Sequence, residues 1–162
     1  GRRAGLPLRG VGFPGHFLVK WQDAAAEIVI DPYAGGRVLS RADCQAQLDR
    51  VYGGALRFEE TQLAALPTRD ILARMLTNLK AIYGRGTDYA KTLRVLDYLL
   101  VVRPEDPREL RARGELRYRV GDYDGSEADL AYALARWPRD DGGRPALEAE
   151  LAQVRRMRGR MN

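Results

Sequence analysis

Residues 92–104 are TLRVLDYLLVVRP, and residues 126–138, which lie 34 positions further on, are SEADLAYALARWP. Both segments repeat apolar residues every three or four positions and end at a proline, Pro104 or Pro138. The apolar spacing predicts two amphipathic helices, and each helix must end near its proline because the residue before a proline is pushed out of the helical conformation. A helical segment that recurs at this period indicates stacked helical hairpins.

Alignment of the two segments on their prolines brings the helix-crossing positions into register. The aligned pairs are Lys80 with Gly114, Thr92 with Ser126, Leu96 with Leu130, and Leu99 with Ala133. Lys80 departs from the usual glycine, and Tyr83 is aligned with Arg117. A 34-residue hairpin of this pattern resembles the tetratricopeptide repeat, which usually binds other chains and carries no chemistry of its own. The alternative is a generic helical bundle in which the spacing arose by chance.

The helical pattern extends on both sides of these segments, from Pro67 to the C-terminal region. Helices are predicted from Thr68 to about Tyr83, from about Asp88 to Val102, from Pro107 to Val120, from the Gly121–Tyr123 turn to Trp137, and from Pro145 to about Arg158. The first helix carries an apolar stripe that we expect to lie in the core: Ile71, Leu72, Met75, Leu76, Leu79 and Tyr83. The last helix is expected to cover the exposed end of the stack.

Before Leu66 the pattern changes to short apolar runs interrupted by glycine and proline. Strands are predicted over residues 11–21 and 27–30, with residues 22–26 as their hairpin connection. Ser40 is a candidate N-cap for a helix that runs to about Tyr52, with Asp43 in the N3 position, and residues 55–66 are expected to form a linker packed between the two halves. The chain is therefore predicted to be an α+β protein with one domain over residues 1–66 and another over residues 67–162.

The composition limits the classes of protein to which the chain can belong. The chain has 162 residues, of which 45% are hydrophobic and 30% charged, as in soluble globular domains. No apolar run is long enough to cross a bilayer and no signal peptide is evident, so a cytoplasmic location is expected. The single cysteine, Cys44, excludes an intramolecular disulfide. Because residues 1–10 lack an initiator methionine, we expect the sequence to be part of a longer protein.

The charge does not favour a nucleic-acid partner. The formal net charge is +5, but most arginines alternate with acidic residues along the predicted helices, which is typical of a solvated surface. The one cluster of a single sign has no interleaved aromatic residues for base stacking: Arg155, Arg156, Arg158 and Arg160. With one histidine and scattered carboxylates, the sequence also predicts no metal site and no cofactor.

His16 and Asp31 form the one chemically suggestive arrangement. His16 lies near the start of one predicted strand, and Asp31 lies 15 residues later at the end of the next strand. Strands joined by a hairpin lie side by side, so the two side chains can come opposite each other. The carboxylate would then orient the imidazole, as in the base and orienting residue of a nucleophilic triad. The alternative is a structural histidine beside an Asp-Pro turn.

Three motifs in order resemble the SirB-type transglutaminase-like proteins of bacteria, in which a transglutaminase-like core precedes tetratricopeptide repeats. They are GVGFPGHFLV (10–19), DPYAGG (31–36) and RMLTNLK (74–80). The resemblance implies a papain-like thiol-enzyme ancestry with cysteine, histidine and aspartate in that chain order. His16 and Asp31 would match the histidine and the aspartate, and the nucleophile would lie upstream of Gly1. Cys44 follows Asp31 and breaks the order, so we expect it to be a small buried apolar residue.

Two functions follow from these patterns. The first is a protein-interaction module, in which an inactive transglutaminase-like core is fused to repeats that bind a protein or peptide partner. The second is an enzyme fragment, the His16–Asp31 portion of a thiol-dependent acyl transferase or peptidase whose nucleophile lies upstream. The resemblance predicts the fold more firmly than any reaction, because one fold hosts many functions.

Overall fold

The computed structural model describes residues 5–160, which form a small sheet followed by helices. The strands are β1 (Leu8–Val11), β2 (Leu18–Gln22), β3 (Glu27–Asp31) and β4 (Arg37–Leu39). The helices are α1 (Arg41–Tyr52), α2 (Thr68–Arg85), α3 (Tyr89–Val102), α4 (Pro107–Arg119), α5 (Tyr123–Arg136) and α6 (Arg144–Gly159), with a 3₁₀ helix at Glu60–Leu63. The α+β class is confirmed. The chain divides into two compact units, the first ending at Ile71 and the second beginning at Leu72.

The sheet of the first unit is a meander in the order β1-β2-β3-β4, with every neighbouring pair antiparallel. The prediction of one continuous strand over residues 11–21 is wrong, because residues 12–17 form a connection between β1 and β2. Gly15 adopts a φ of +70° there, and the His16 N–H donates to the Phe13 carbonyl at 3.0 Å. This turn needs a left-handed residue, which glycine adopts without steric cost.

The core of the first unit lies between one face of the sheet and α1. Its buried members are Val11, Phe13, Leu18, Val29, Leu39, Cys44, Leu48 and Leu63. The predicted start of α1 is confirmed, since Ser40 Oγ accepts from the Asp43 N–H at 3.1 Å and Asp43 Oδ2 accepts from the Ser40 N–H at 2.9 Å. This reciprocal cap satisfies two backbone donors that a helix start leaves open.

The segment of residues 55–66, expected to be a linker, joins the edge of the sheet. Ala65 forms a bridge with Val11, and the Leu66 N–H donates to the Gly10 carbonyl at 2.8 Å. Gly12 allows this approach, because a Cβ there would lie 2.8 Å from the Leu66 side chain. The segment is thus part of the first unit and satisfies backbone groups at the exposed edge of β1.

The second unit is built from helical hairpins, and α4 and α5 cross closely. A Cβ on Gly114 would lie 2.8 Å from the Leu130 side chain, and Ser126 Oγ donates to the Gly114 carbonyl at 2.8 Å. The small residues predicted at this crossing therefore permit close packing of the two helices. Around it lies the main core of the unit: Leu110, Leu130, Ala133, Trp137, Leu147, Leu151 and Val154.

The apolar stripe of α2 is only partly buried, so the prediction that it forms core is wrong for most of its members. Ala73 is the one α2 residue with less than a tenth of its surface exposed, whereas Leu72 is 46% exposed and Met75 58% exposed. The reason is position, since α2 is the first helix of the second unit and packs there against α3 through Leu76 and Tyr83. Periodicity identifies an apolar face but not which part of it is covered.

Over residues 5–160, no helix has both the length and the apolar character that crossing a membrane requires.

Candidate functional sites

The first unit brings His16 and Asp31 together. His16 precedes β2 by two residues, and Asp31 is the last residue of β3. Because β2 and β3 are antiparallel, with Val19 opposite Ile30, the start of one strand lies beside the end of the other. His16 Nε2 lies 3.0 Å from Asp31 Oδ2 as a result.

The Asp31 carboxylate is held by four polar contacts. Its Oδ1 accepts from the backbone N–H groups of Tyr33 at 2.9 Å and Ala34 at 3.1 Å. Its Oδ2 accepts from Gln47 Nε2 at 3.1 Å in addition to facing His16. The residue is only 4% exposed, so both oxygens are directed by protein donors and not by solvent.

These contacts determine the protonation of Asp31. Burial raises the pKa of the carboxyl, but hydrogen bonds from His16 and from the Ala34 and Tyr33 N–H groups outweigh it and hold the pKa below its ordinary value. Asp31 is therefore ionised at neutral pH and able to stabilise an imidazolium. When Nε2–H is donated to Asp31, the basic nitrogen of the neutral His16 ring is Nδ1.

The sequence pattern missed two neighbours of the pair, Gln47 and Tyr33. The Tyr33 ring lies 5.5 Å from the His16 ring, centroid to centroid, and is largely exposed. Gln47 lies on the face of α1 that also carries the buried Cys44 and Leu48. Gln47 follows the buried Cys44 by three positions and precedes the buried Leu48, so the helical pattern places its polar side chain near the core. This was the signal available in the sequence, because a polar side chain there needs a hydrogen-bond partner inside the fold.

A cavity of about 300 Å³ adjoins the carboxylate. Its wall includes Asp31, Gln47, Leu39 and two arginines, Arg37 and Arg50. One of them, Arg37, is paired with Asp43 through Nη2 and Oδ1 at 2.5 Å. The cavity therefore borders the Asp31 side of the pair.

Cys44 is placed for packing and not for catalysis. Its side chain has no exposed surface and lies in the core of the first unit. Burial raises the pKa of the thiol, and the smaller lowering effect of Arg41 does not reverse that direction. Since the thiolate is the nucleophile, a neutral buried thiol is inert. Over residues 5–160, no three histidine, cysteine or acidic side chains are grouped as metal ligands.

The second unit has two neighbouring cavities along α4. The larger, of about 490 Å³, lies against α4, α5 and α6 and is lined in part by Arg111, Tyr118, Leu130, Glu150 and Gln153. The smaller, of about 210 Å³, lies against α2, α3 and α4 and is lined in part by Lys80, Thr92, Leu96 and Ala112. Both cavities include Glu115 and Arg119 in their walls, so they meet on α4. We call the two together the α4 groove.

Two of the cations of the α4 groove are already neutralised. Lys80 Nζ lies 2.6 Å from Glu109 Oε2. Arg111 contacts Glu150, with Nη2 to Oε1 at 2.5 Å, and also Glu115, with Nε to Oε1 at 2.9 Å. These pairs leave the groove with polar walls and an apolar floor, a lining typical of ligand sites.

Family comparisons also divide the chain into two parts, with the boundary at residues 77–79, inside α2. Residues 1–77 match the model of the transglutaminase-like superfamily, and residues 79–162 match that of the tetratricopeptide repeat. A UPF0162 protein from Xylella fastidiosa is 34% identical over 140 residues, which are 85% of this chain and 50% of the relative. A UPF0162 protein from Vibrio cholerae is 30% identical over 156 residues, which are 95% of this chain and 56% of the relative.

A eukaryotic protein is also similar. F-box only protein 21 from Homo sapiens is 28% identical over 131 residues, which are 74% of this chain and 20% of that protein. The chain spans about half the length of the bacterial relatives it matches.

Proposed function

We infer a function from the premise that this chain belongs to the tetratricopeptide-repeat family through residues 79–162 and carries a transglutaminase-like segment over residues 1–77. We propose that it is a protein-interaction module whose repeats bind a protein or peptide partner. The observation that carries this proposal is the α4 groove, in which two cavities of the repeat unit meet on one helix. Helical repeats bind other chains through such extended concave surfaces.

We further propose that the transglutaminase-like half of this chain does not catalyse a reaction by itself. The support is the state of its only thiol, since Cys44 is fully buried and its pKa is raised by that burial. A base without a nucleophile to deprotonate cannot start acyl transfer. The ion pair and hydrogen bonds of Asp31 then serve the stability of the first unit.

The test of the interaction proposal blocks the groove with one side chain. Ala112 lies in the wall of the smaller cavity on α4, whereas Ala128 is exposed on α5 and lines neither cavity. Peptides selected from a random display library on the intact chain should lose binding to Ala112→Trp and keep it with the matched control Ala128→Trp. The proposal fails when no peptide is selected, or when both variants bind the selected peptides equally.

The His16–Asp31 contact favours a second candidate function. In it, the pair is the base and orienting residue of a thiol-dependent acyl transferase or peptidase whose cysteine lies outside this sequence. His16 Nδ1 would accept the thiol proton, and the ionised Asp31, 3.0 Å from Nε2, would stabilise the imidazolium. The thiolate would then attack the acyl carbon to form a thioester, and the His16 imidazolium would give its proton to the amine or alcohol that leaves. Water or an acceptor amine would take the acyl group from the thioester and restore the thiol.

His16→Ala in the full-length protein distinguishes the two functions. Loss of a measurable acyl-transfer or amide-hydrolysis activity, with folding retained by circular dichroism, would support the enzyme. A variant that is merely less stable, from a parent without such activity, would support the interaction module. Gln47→Ala is a useful companion, because it removes a contact of Asp31 without touching the imidazole.

A further inference from the structure

Helix α2 carries two rows of apolar side chains. One row packs against α3 through Ala73, Leu76 and Tyr83. The other row, which we call the outer row of α2, consists of Leu72, Met75, Leu79 and Ile82. Its members follow each other at steps of three, four and three residues, and each keeps between 37% and 58% of its surface exposed. Such steps place the four side chains in one line along the helix.

The second repeat shows what packs on this face of a helix. Met75, Leu79 and Ile82 align, one repeat further on, with Glu109, Arg113 and Leu116 of α4. On α4 these positions cover the preceding hairpin, since Glu109 contacts Lys80 of α2 and Arg113 contacts Asp97 of α3, both at 2.6 Å. Leu116 is buried there as well. The corresponding face of α2 is therefore the place where another helix would pack on this unit.

The outer row lacks the polar character of a repeat end that faces water. Terminal repeats of helical arrays usually present polar residues on their outer face. The outer row has no charged or polar side chain, although two of the three aligned positions on α4 are charged. An apolar row with alternating three- and four-residue steps is the seam along which helices pack in a coiled coil. The pattern thus indicates an apolar helix face as the occupant.

The spacing of the outer row is the same in both chain directions, so the row is complementary to itself. When two copies of α2 lie antiparallel, with a two-fold axis between Met75 and Leu79, Met75 of each copy faces Leu79 of the other. Leu72 of each copy then faces Ile82 of the other. Among the helices between residues 5 and 160, α2 alone exposes four large apolar side chains in one row. The matching helix is therefore α2 itself.

We propose that the outer row of α2 is a homodimer surface, on which α2 of a second copy of this chain packs in antiparallel orientation. Antiparallel packing brings opposite ends of the two helix dipoles together. The row includes no residue of the α4 groove, so the inference goes beyond the proposed function. Four partly exposed side chains offer less than the ~800 Å² per partner of a standard interface, and the dimer is therefore reversible and weaker than micromolar.

Sedimentation equilibrium of the intact chain measures the association. The average mass should rise from that of one chain towards that of two between about 10 and 500 µM protein. Met75→Glu and Leu79→Lys each place an unpaired charge in both central layers of the dimer, so each variant should remain a single chain over this range. Val101→Glu is the matched control, because Val101 is 76% exposed on α3 and lies outside the outer row. It should dimerise as the wild type does.

An equimolar mixture of Met75→Glu and Leu79→Lys tests the antiparallel register. In a mixed pair, the introduced carboxylate at position 75 faces the introduced ammonium at position 79 in one layer, and the unchanged Met75 and Leu79 face each other in the other layer. The mixture should therefore recover a dimer that neither variant forms alone. Circular dichroism checks that the helices remain formed, and mixing would not reverse a general loss of structure.

Cross-linking locates the two-fold axis. Asn78 is exposed beside Leu79, and in the antiparallel pair its two copies are offset by about 3 Å along the helices, whereas those of Arg85 are offset by about 24 Å. A short bis-maleimide should therefore link Asn78→Cys into dimers and leave Arg85→Cys as single chains. Cys44 does not interfere, because it is fully buried.

Three results would overturn the proposal. The first is a wild type that remains a single chain up to about 500 µM, which would leave the outer row to a helix of another protein. The second is a dimer that withstands both charged variants, and the third is a mixture of the two variants that stays monomeric. None of these measurements involves the α4 groove, so selected peptides can succeed or fail there independently of the dimer.

Discussion

Asp31 combines a structural and a chemical task in one buried carboxylate. It ends β3, accepts two backbone N–H groups of the following turn and receives Gln47 and His16 on its other oxygen. A buried carboxylate with all its contacts satisfied stabilises a fold, whereas one left without partners would destabilise it. The same arrangement is what a catalytic histidine requires of its orienting residue.

Asp31→Asn should lower the free energy of unfolding of the first unit by about 1–3 kcal/mol at pH 7, because an amide replaces an oxygen that accepts from two side chains. The direction in which this loss of stability changes with pH follows from the lowered folded-state pKa of Asp31. Such a group stabilises the fold above the unfolded-state value, about 3.9, and this contribution is lost as pH falls through the lower folded-state value.

The difference between wild type and Asp31→Asn should therefore shrink in acid. Trp21, on β2, reports on the first unit when Trp137 is replaced by phenylalanine in both proteins. Urea unfolding followed by this fluorescence between pH 7 and pH 3 measures the difference. A difference that grew towards low pH would contradict a stabilising charged form of Asp31.

At the scale of elements, the α4–α5 crossing depends on the absence of a side chain. Alanine usually stabilises a helix relative to glycine by about 1 kcal/mol. At Gly114 the added Cβ would lie 2.8 Å from Leu130, which is 1% exposed and has no space to move. Overpacking of this kind costs about 1–3 kcal/mol, so Gly114→Ala should destabilise the second unit by roughly 1 kcal/mol net.

Gly84→Ala is the matched control for this crossing. Gly84 lies in α2, and no atom lies within 4 Å of the position that its Cβ would take. Here the helix preference acts without a clash, so stability should rise by up to about 1 kcal/mol. Thermal unfolding by circular dichroism should therefore move in opposite directions for the two substitutions. Equal shifts of the same sign would contradict the close α4–α5 contact.

At the scale of the whole molecule, the second unit is held by a polar network as well as by its apolar core. Arg113 of α4 contacts Asp97 of α3, with Nη1 to Oδ1 at 2.6 Å, and the Asp129 carboxylate of α5 through two nitrogens at 2.7 and 2.8 Å. The hydrogen bonds to Asp129 are the main cause that holds the pKa of Arg113 above its usual range, against the effect of burial. One side chain thus links three helices.

Arg113→Met should destabilise the second unit by roughly 3 kcal/mol, because it leaves Asp129, which is 5% exposed, without its two-point partner. The loss of stability should lie at the low end of the range for breaking a buried ion pair, because Arg117 still contacts Asp129 at 3.0 Å. Denaturant unfolding followed by Trp137 fluorescence measures it. Arg155→Met is the control and should shift the midpoint little, because Arg155 is exposed and its partner Glu127 keeps Arg158 at 2.7 Å.

The sequence by itself determined the features that a few neighbouring residues encode. The helices after Pro67, the Ser40–Asp43 cap and the glycine crossing followed from periodicity, capping and residue size. The spacing of His16 and Asp31 also suggested their approach, because antiparallel pairing converts spacing along a hairpin into contact across it.

Only the tertiary structure decided which of these features meet and which face solvent. It broke the first predicted strand at Gly12–Phe17, left Leu72 and Met75 exposed, and brought Gln47 to Asp31 from a different element. It also opened the cavity beside Lys80. Such contacts join residues far apart in the chain, and their free energy depends on the packing of both partners, which no local pattern records.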